Sequence, residues 1–225
     1  MRKVMDRRRR RTDEGFTLIE LLVSMIIFSI IMALLVSVMI QMTYQANDAL
    51  GRQRAVEQAR LGLSQIDRQI RSGNLILDPA LDDVSVAGVP ANYSLRIYTQ
   101  EGDGPAKCVQ WRVIYPSDTD RFGQLEYREW DPADTSTSTA WSRVASNVER
   151  PSATFAATDS TSWPPFWVDT TLPTGTEAQN IRVTLRMGDP SARDDAKSQV
   201  LTSVVTGRNT VFGYSPDTCN AVPAP

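Results

Sequence analysis

The chain has 225 residues, of which 41% are hydrophobic and 22% charged, a size that fits one globular domain with an appendage. Histidine is absent and lysine occurs only at Lys3, Lys107 and Lys197, which excludes the commonest general base and the usual zinc sites. From Gly73 onward the chain carries 12 basic and 19 acidic residues, so it lacks the clustered cations that phosphate contacts need, and no nucleic-acid partner is expected.

An acidic side chain interrupts a long apolar run near the N-terminus. Five arginines, Arg7 to Arg11, are followed by Glu14-Gly15-Phe16-Thr17-Leu18-Ile19-Glu20 and then by apolar sequence that extends to Ile40. The run exceeds the ~20 residues that span a bilayer. Glu20 lies inside it, and a carboxylate in a membrane costs a few kcal/mol unless it has a partner. Glu20 is therefore a candidate functional residue.

This N-terminal pattern resembles that of type IV prepilins and type II secretion pseudoprepilins, over about Arg7 to Leu35. The resemblance implies that a membrane aspartyl peptidase, the prepilin peptidase, cuts after Gly15 and methylates the new α-amino group of Phe16. That amine is then the candidate partner of Glu20, and we expect the contact to guide assembly. The other implied partners are pilin subunits, which bind through the N-terminal helix, and an assembly platform in the inner membrane.

Charge predicts the orientation of the apolar segment. Residues 1–15 hold seven basic and three acidic side chains, so we expect the leader inside the cytoplasm and the C-terminal part outside. Membrane lipid surrounds the segment before assembly. A secretory signal peptide, the alternative, has an apolar core of only ~7–15 residues. An uncleaved signal anchor would explain the span but not the Gly15-Phe16 junction or Glu20.

Residues 16–72 predict one long helix. All thirteen prolines lie at or beyond Pro79, which leaves this segment without the strongest helix breaker. Gly51 and Gly62 are weak points, which either mark a bend or are tolerated at exposed positions. After Ile40 the apolar residues repeat at a spacing typical of an amphipathic helix, namely Ala49, Val56, Leu63 and Ile70 with Ala59 and Ile66.

The chain after this helix predicts an antiparallel sheet of six to eight strands, and hence an α+β fold. Short segments rich in β-branched and aromatic residues alternate with turn residues. In the clearest segment, 181–187, apolar and polar side chains alternate. The other predicted strands are 93–98, 108–115, 124–128, 200–206 and 210–212. The predicted organisation is a removed leader (1–15), a membrane or filament-core helix (16–40), an amphipathic helix (41–72) and an extracytoplasmic domain (73–225).

Two sets of residues in the C-terminal domain are candidates for a role. Cys108 and Cys219 predict one disulfide in an exported domain, and two free thiols in a reducing compartment are the alternative. Trp163, Phe166 and Trp167 surround two prolines in a stiff loop that is the candidate adhesive or partner-binding surface. Alternatively, these rings fill the core beneath a loop that crosses the sheet.

Motifs that carry catalytic chemistry are missing from the sequence. It contains no nucleophile elbow, P-loop, dinucleotide-binding turn or metal-binding cysteine cluster. Asp118 and Asp120 lack the spacing of a calcium-binding loop, which favours a solvated acidic loop. We therefore expect no enzyme activity, no catalytic residue, no metal site and no cofactor.

The size of the globular part, 153 residues from Gly73 to Pro225, favours a minor pilin that initiates the filament or lies at its tip. The strands around Trp111 and Tyr127 are similar in layout to the larger minor pilins and the J-type minor pseudopilin. A type II secretion minor pseudopilin is thus the alternative within the family. An alternative of another class is a single-pass membrane protein that binds ligands outside the cytoplasm and never polymerises.

Overall fold

The computed structural model describes residues 15–100, 104–152, 154–168, 180–190, 198–207, 215 and 217–224. Its contacts divide the chain into two units, residues 1–47 and residues 48–225, and each is considered by itself. A long helix precedes an antiparallel sheet, which confirms the predicted α+β class.

Helix α1 spans Leu18–Ser72, 55 residues, close to the predicted length. It continues through Gly51 and Gly62, and the chain enters the first strand directly after Ser72. Within the second unit, the buried positions of α1 recur every three or four residues, as expected of a helix with one apolar face. They are Ala55, Ala59, Gly62, Ile66, Gln69 and Ile70.

The buried face of α1 differs in part from the predicted apolar stripe. Ile66, Ile70 and Ala59 are buried as expected, whereas Ala49 is exposed. Gly62 is buried within the continuous helix, and a Cβ there would lie 2.8 Å from Leu125 Cδ2. The helix therefore packs directly on the sheet at a residue that has no side chain.

The described residues form one eight-stranded antiparallel sheet in the order β1-β2-β3-β4-β5-β7-β6, with β8 paired to the other side of β7. Short connecting helices are Pro79–Leu81, Val84–Ala87 and Thr135–Thr137. The strands are β1 Gly73–Ile76, β2 Ser94–Thr99, β3 Lys107–Ile114, β4 Phe122–Trp130, β5 Ser142–Glu149, β6 Phe166–Val168, β7 Asn180–Met187 and β8 Gln199–Thr206.

Five of the predicted strands match β2, β3, β4, β7 and β8, whereas β1, β5 and β6 were not predicted. β5 was not predicted because five of its eight residues are polar or charged, and β6 was not predicted because it has only three residues. The predicted strand 210–212 lies outside the described residues.

The main core lies between α1 and one face of the sheet. It includes Trp111, which is fully buried and stacks on Tyr127 at 5.2 Å between ring centroids. Trp111 Nε1 donates a hydrogen bond to Gln69 Oε1 at 2.5 Å. A smaller apolar cluster on the opposite face contains Cys108, Trp130 and Cys219. We call that opposite face the back face of the sheet.

Candidate functional site

The N-terminal site begins with a helix cap. The backbone N–H of Glu20 donates to Thr17 Oγ1 at 3.3 Å and to the Thr17 carbonyl at 3.1 Å, and the Leu21 N–H donates to the same carbonyl at 3.2 Å. Thr17 is thus the N-cap residue, which satisfies N–H groups that have no partner inside the helix. Sequence reasoning missed this role, although Thr-x-x-Glu before an apolar run is the pattern of a capping box.

Gly15 and Phe16 precede this cap in exposed, non-helical chain. No described atom lies within 4 Å of the position of a Cβ on Gly15, and 83% of the Phe16 surface is exposed. The peptide bond between Gly15 and Phe16 is therefore not protected by secondary structure or by packing of the described residues. The arginines of the leader lie outside the described residues.

Glu20 is exposed in the first turn of α1. A carboxylate in the first turn interacts favourably with the positive end of the helix dipole. If the chain is cut after Gly15, the new amine of Phe16 lies four residues before Glu20 and next to the capped end of the helix. The two predicted assembly groups are therefore both at the start of α1, uncovered by other described residues.

The side chains that follow Glu20 form a long apolar surface. Large hydrophobic residues between Leu18 and Ile40 are about half exposed or more in the isolated chain. Among the described residues, α1 is the one helix long and apolar enough to cross a membrane. Monomeric soluble proteins rarely expose such a large apolar patch, so a lipid or protein environment is required to cover it.

In the second unit, the structure brings the two cysteines together as the disulfide Cys108–Cys219, with the two Cα atoms 5.7 Å apart. The bond attaches the C-terminal segment, residues 217–224, to strand β3 on the back face. Arg96 supports this attachment, because its Nη1 donates to the Cys219 carbonyl at 2.6 Å. Its Nη2 pairs with the fully buried Asp82 at 2.6 Å.

Arg128 holds the end of the same segment. It donates to the carbonyl oxygens of Ala224 at 2.7 Å and Pro223 at 2.9 Å, and its Nε and Nη2 donate to Gln110 Oε1. Within the described part of the chain no carboxylate pairs with this buried cation. Burial and, to a smaller degree, the charge of Arg112 lower the pKa of Arg128 to about 10.

The candidate adhesive surface is not formed as predicted. Phe166 is fully buried in the main core and Trp167 is only 4% exposed. Trp163 is half-buried, and its ring lies beside Trp167 at 5.8 Å between centroids. Phe166 belongs to strand β6, so the alternation of the sheet directs its ring into the core. The rings of Phe166 and Trp167 therefore contribute to packing, which agrees with the alternative interpretation.

Several acidic residues of the described segments are engaged in structure. Asp83 and Asp134 cap short helices, accepting from the backbone N–H groups of Ser85 and Ser136 respectively. Hydrogen bonds from the side chains of these serines and, second, from their backbone N–H groups lower the pKa of both carboxyl groups below its ordinary value. Across the described ranges, no three His, Cys, Asp or Glu side chains lie close enough together to hold a metal ion.

Comparison with known families agrees with the geometry of the N-terminal segment. Residues 10–36 match the family described as the prokaryotic N-terminal methylation motif. The N-terminal segment therefore carries a processing motif like that of type IV pilin and pseudopilin precursors. The motif implies processing by a prepilin peptidase and assembly with other pilin subunits, and together with the apolar helix it fits a membrane-anchored protein. No curated protein and no solved structure matches the chain.

Proposed function

We propose that the protein is a minor pilin, a subunit that is cut after Gly15, methylated at Phe16 and assembled through α1 into a type IV pilus-like filament. The observation that supports this most directly is a matched methylation motif followed by a capped helix whose first half is uncovered and apolar. The protein acts by assembly rather than catalysis, and its large sheet domain suits a subunit that initiates the filament or occupies its tip.

In this mechanism, α1 serves in two environments. The leader keeps the N-terminus in the cytoplasm, the segment 16–40 spans the inner membrane, and the sheet domain lies outside. After cleavage, the assembly platform transfers the apolar segment from lipid into the filament, where neighbouring helices cover the same side chains. The helix is stable in both environments because its backbone N–H and C=O groups form hydrogen bonds with one another and need no outside partner.

Glu20 pairs with the positively charged amine of Phe16, on the same or a neighbouring subunit. Inside an apolar helix bundle an unpaired charge costs several kcal/mol, so a subunit in the wrong axial position is rejected. The charge pair thereby sets the position of each incoming subunit along the filament.

The intact mass of the membrane-purified protein tests the processing step. A mass that lacks residues 1–15 and carries one additional methyl group supports the proposal. An unprocessed chain contradicts it and favours the single-pass membrane protein. The neighbouring genes distinguish a pilus from a type II secretion system, the alternative in which the same subunit enters a short pseudopilus.

The substitution Glu20→Ala tests the assembly step. We expect normal cleavage but at least a tenfold loss of the protein from sheared filaments, since ~1.4 kcal/mol already changes an equilibrium tenfold and a buried unpaired amine costs more. Asp67→Ala is the matched control, because Asp67 pairs with Arg71 at the helix surface, where ion pairs contribute little. Normal incorporation of Glu20→Ala would refute the role of Glu20.

A further inference from the structure

We propose that Thr17 is a specificity-determining residue for the N-terminal processing of this chain, because its cap on α1 keeps the Gly15–Phe16 peptide bond outside the helix. Thr17 is a positioning residue, since it makes the bond available to the peptidase and takes no part in cutting it. The inference rests on the proposed function, which requires cleavage after Gly15, and adds a residue that determines how readily this cleavage occurs.

The cap of Thr17 defines where α1 begins. Thr17 itself is not helical, and Leu18 is the first residue of the helix. Thr17 Oγ1 accepts from the Glu20 N–H at 3.3 Å, and the Thr17 carbonyl accepts from the N–H groups of Glu20 and Leu21 at 3.1 and 3.2 Å. A side-chain oxygen at this position stabilises the first turn because the N–H groups there have no partner inside the helix.

The cleavage position has no other described contact that could order it. Gly15 and Phe16 form no hydrogen bond with a described residue, and no described atom lies within 4 Å of a Cβ placed on Gly15. The Phe16 surface is largely exposed. Whether the Gly15–Phe16 bond is helical or extended therefore depends on the residue at which α1 begins, and Thr17 sets that residue.

Without the cap, α1 should lengthen toward the leader rather than fray into the apolar segment. Fraying would leave N–H and C=O groups of the apolar segment without partners in hydrocarbon. Asp13, four residues before Thr17, is of a type that caps helices well. A helix that begins after Asp13 includes Glu14, Gly15 and Phe16 in its first turn, where Glu14 interacts favourably with the helix dipole. Gly15 opposes this shift because glycine is a poor helix former.

A peptide bond inside the first turn of a helix must unfold before it is cut. When opening and closing are fast, the rate of proteolysis follows the population of the locally open form. The cap maintains that population in the uncut chain. Thr17 also lies within the matched methylation motif, residues 10–36, as the second residue after the bond that is cut.

The test measures how fast the prepilin peptidase of the same cells cuts the full-length chain in detergent, with the products followed by intact mass. Thr17→Val retains the shape and nearly the helix propensity of threonine but has no capping oxygen. We expect its kcat/KM to be about fivefold lower, the effect of one lost cap. The loss should lie in KM, with kcat within about twofold of the parent, because only the open fraction binds.

Rescue by other capping residues separates the cap from the shape of the side chain. Thr17→Ser and Thr17→Asn retain a capping oxygen, so both should be cut within about twofold of the parent rate. Parent-like cutting of Thr17→Val overturns the proposal. So does slow cutting of Thr17→Asn, since the peptidase would then recognise the threonine shape directly.

Thr43→Val is the matched control within the same helix. Thr43 Oγ1 donates to the Met39 carbonyl at 2.9 Å and does not cap the start of α1. The control should be cut within about twofold of the parent rate. An equal loss in Thr43→Val and Thr17→Val overturns the proposal, because the effect would then follow from any lost hydroxyl in this helix.

Amide hydrogen exchange of the uncut chain tests the change in the helix start. In a lengthened helix the N–H groups of Leu18 and Ile19 donate to the carbonyls of Glu14 and Gly15, so exchange at both should be slower in Thr17→Val than in the parent. Unchanged or faster exchange overturns the proposal. If the parent and all variants are cut at equal rates, this inference alone is refuted. A parent that is not cut after Gly15 refutes the proposed function itself.

Discussion

Tyr115 shows how a single buried hydroxyl couples the stability of the domain to pH. In the described structure its Oη has no hydrogen-bond partner, and its ring lies against Arg150, whose guanidinium is 4.0 Å from the ring centroid. Burial raises the pKa of Tyr115 well above that of a free phenol, and the positive charge of Arg150 offsets only part of this effect. Folding therefore favours the neutral phenol.

We predict that stability falls above about pH 10, where the unfolded chain releases the Tyr115 proton and the folded chain retains it. The contribution is fully present below the unfolded pKa and is lost as the pH rises toward the folded value. Tyr115→Phe should reduce this alkaline slope. At neutral pH it should leave the free energy of unfolding unchanged or raise it by up to about 1 kcal/mol, since no hydrogen bond is lost.

Urea unfolding of both proteins in detergent between pH 8 and about 11 measures the effect. Identical slopes of stability against pH for the parent and Tyr115→Phe would show that Tyr115 does not titrate differently in the two states.

At the scale of elements, the close contact between α1 and the sheet depends on Gly62. A Cβ at this position would lie within 4 Å of side-chain carbons of Leu125, Val144 and Leu185. Glycine lowers the helix propensity by up to ~1 kcal/mol relative to alanine. The loss of helix propensity is offset because the missing side chain of Gly62 lets the helix backbone approach strands β4, β5 and β7.

Gly62→Leu should therefore destabilise the second unit by about 1–3 kcal/mol, because a larger side chain overpacks the contact. Ser64→Leu is the matched control, since Ser64 is exposed on the same helix. Urea unfolding followed by tryptophan fluorescence reports on Trp111 in the core beneath the helix. A Gly62→Leu variant as stable as the control would contradict the close-packing role.

Most elements of this fold are predictable from local sequence, but their burial is not. The helix was predictable because residues 16–72 contain no proline, and β7 because its side chains alternate strictly. Polar residues of β2 and β3, such as Arg96 and Gln110, resemble solvent-facing positions. They are buried because residues 79–92, the loop that precedes β2, and residues 217–224, distant in sequence, cover the back face. The local sequence of β2 and β3 does not indicate that other segments bury these polar side chains.

The candidate site was predictable to a similar extent. The motif around Gly15 and Glu20 is contiguous, so the sequence contains all of it, including the overlooked cap at Thr17. The aromatic loop was misassigned in part because composition does not distinguish an exposed ring from a buried one. The Phe166 ring is buried because Phe166 lies in β6, and β6 forms only by pairing with β7, which is distant from the local sequence pattern.

At the scale of the whole molecule, the disulfide closes a loop of 111 residues within the second unit. Replacing both cysteines, Cys108→Ser with Cys219→Ser, should lower the free energy of unfolding by about 2–4 kcal/mol. The parent protein in reductant provides the comparison. If both cysteines react with a thiol reagent in the absence of reductant, the bond does not form in the cell and the expected loss does not apply.

The hydrogen bonds that Arg96 and Arg128 donate to residues 217–224 have a consequence for the order of folding. The ribosome adds residues 217–224 after all the described strands of the sheet have been made. Until then, both guanidinium groups lack the carbonyl oxygens that accept their hydrogen bonds in the finished structure. The part of the back face beneath residues 217–224 thus remains open to water while the described strands are being made, and it closes only after that segment has been added.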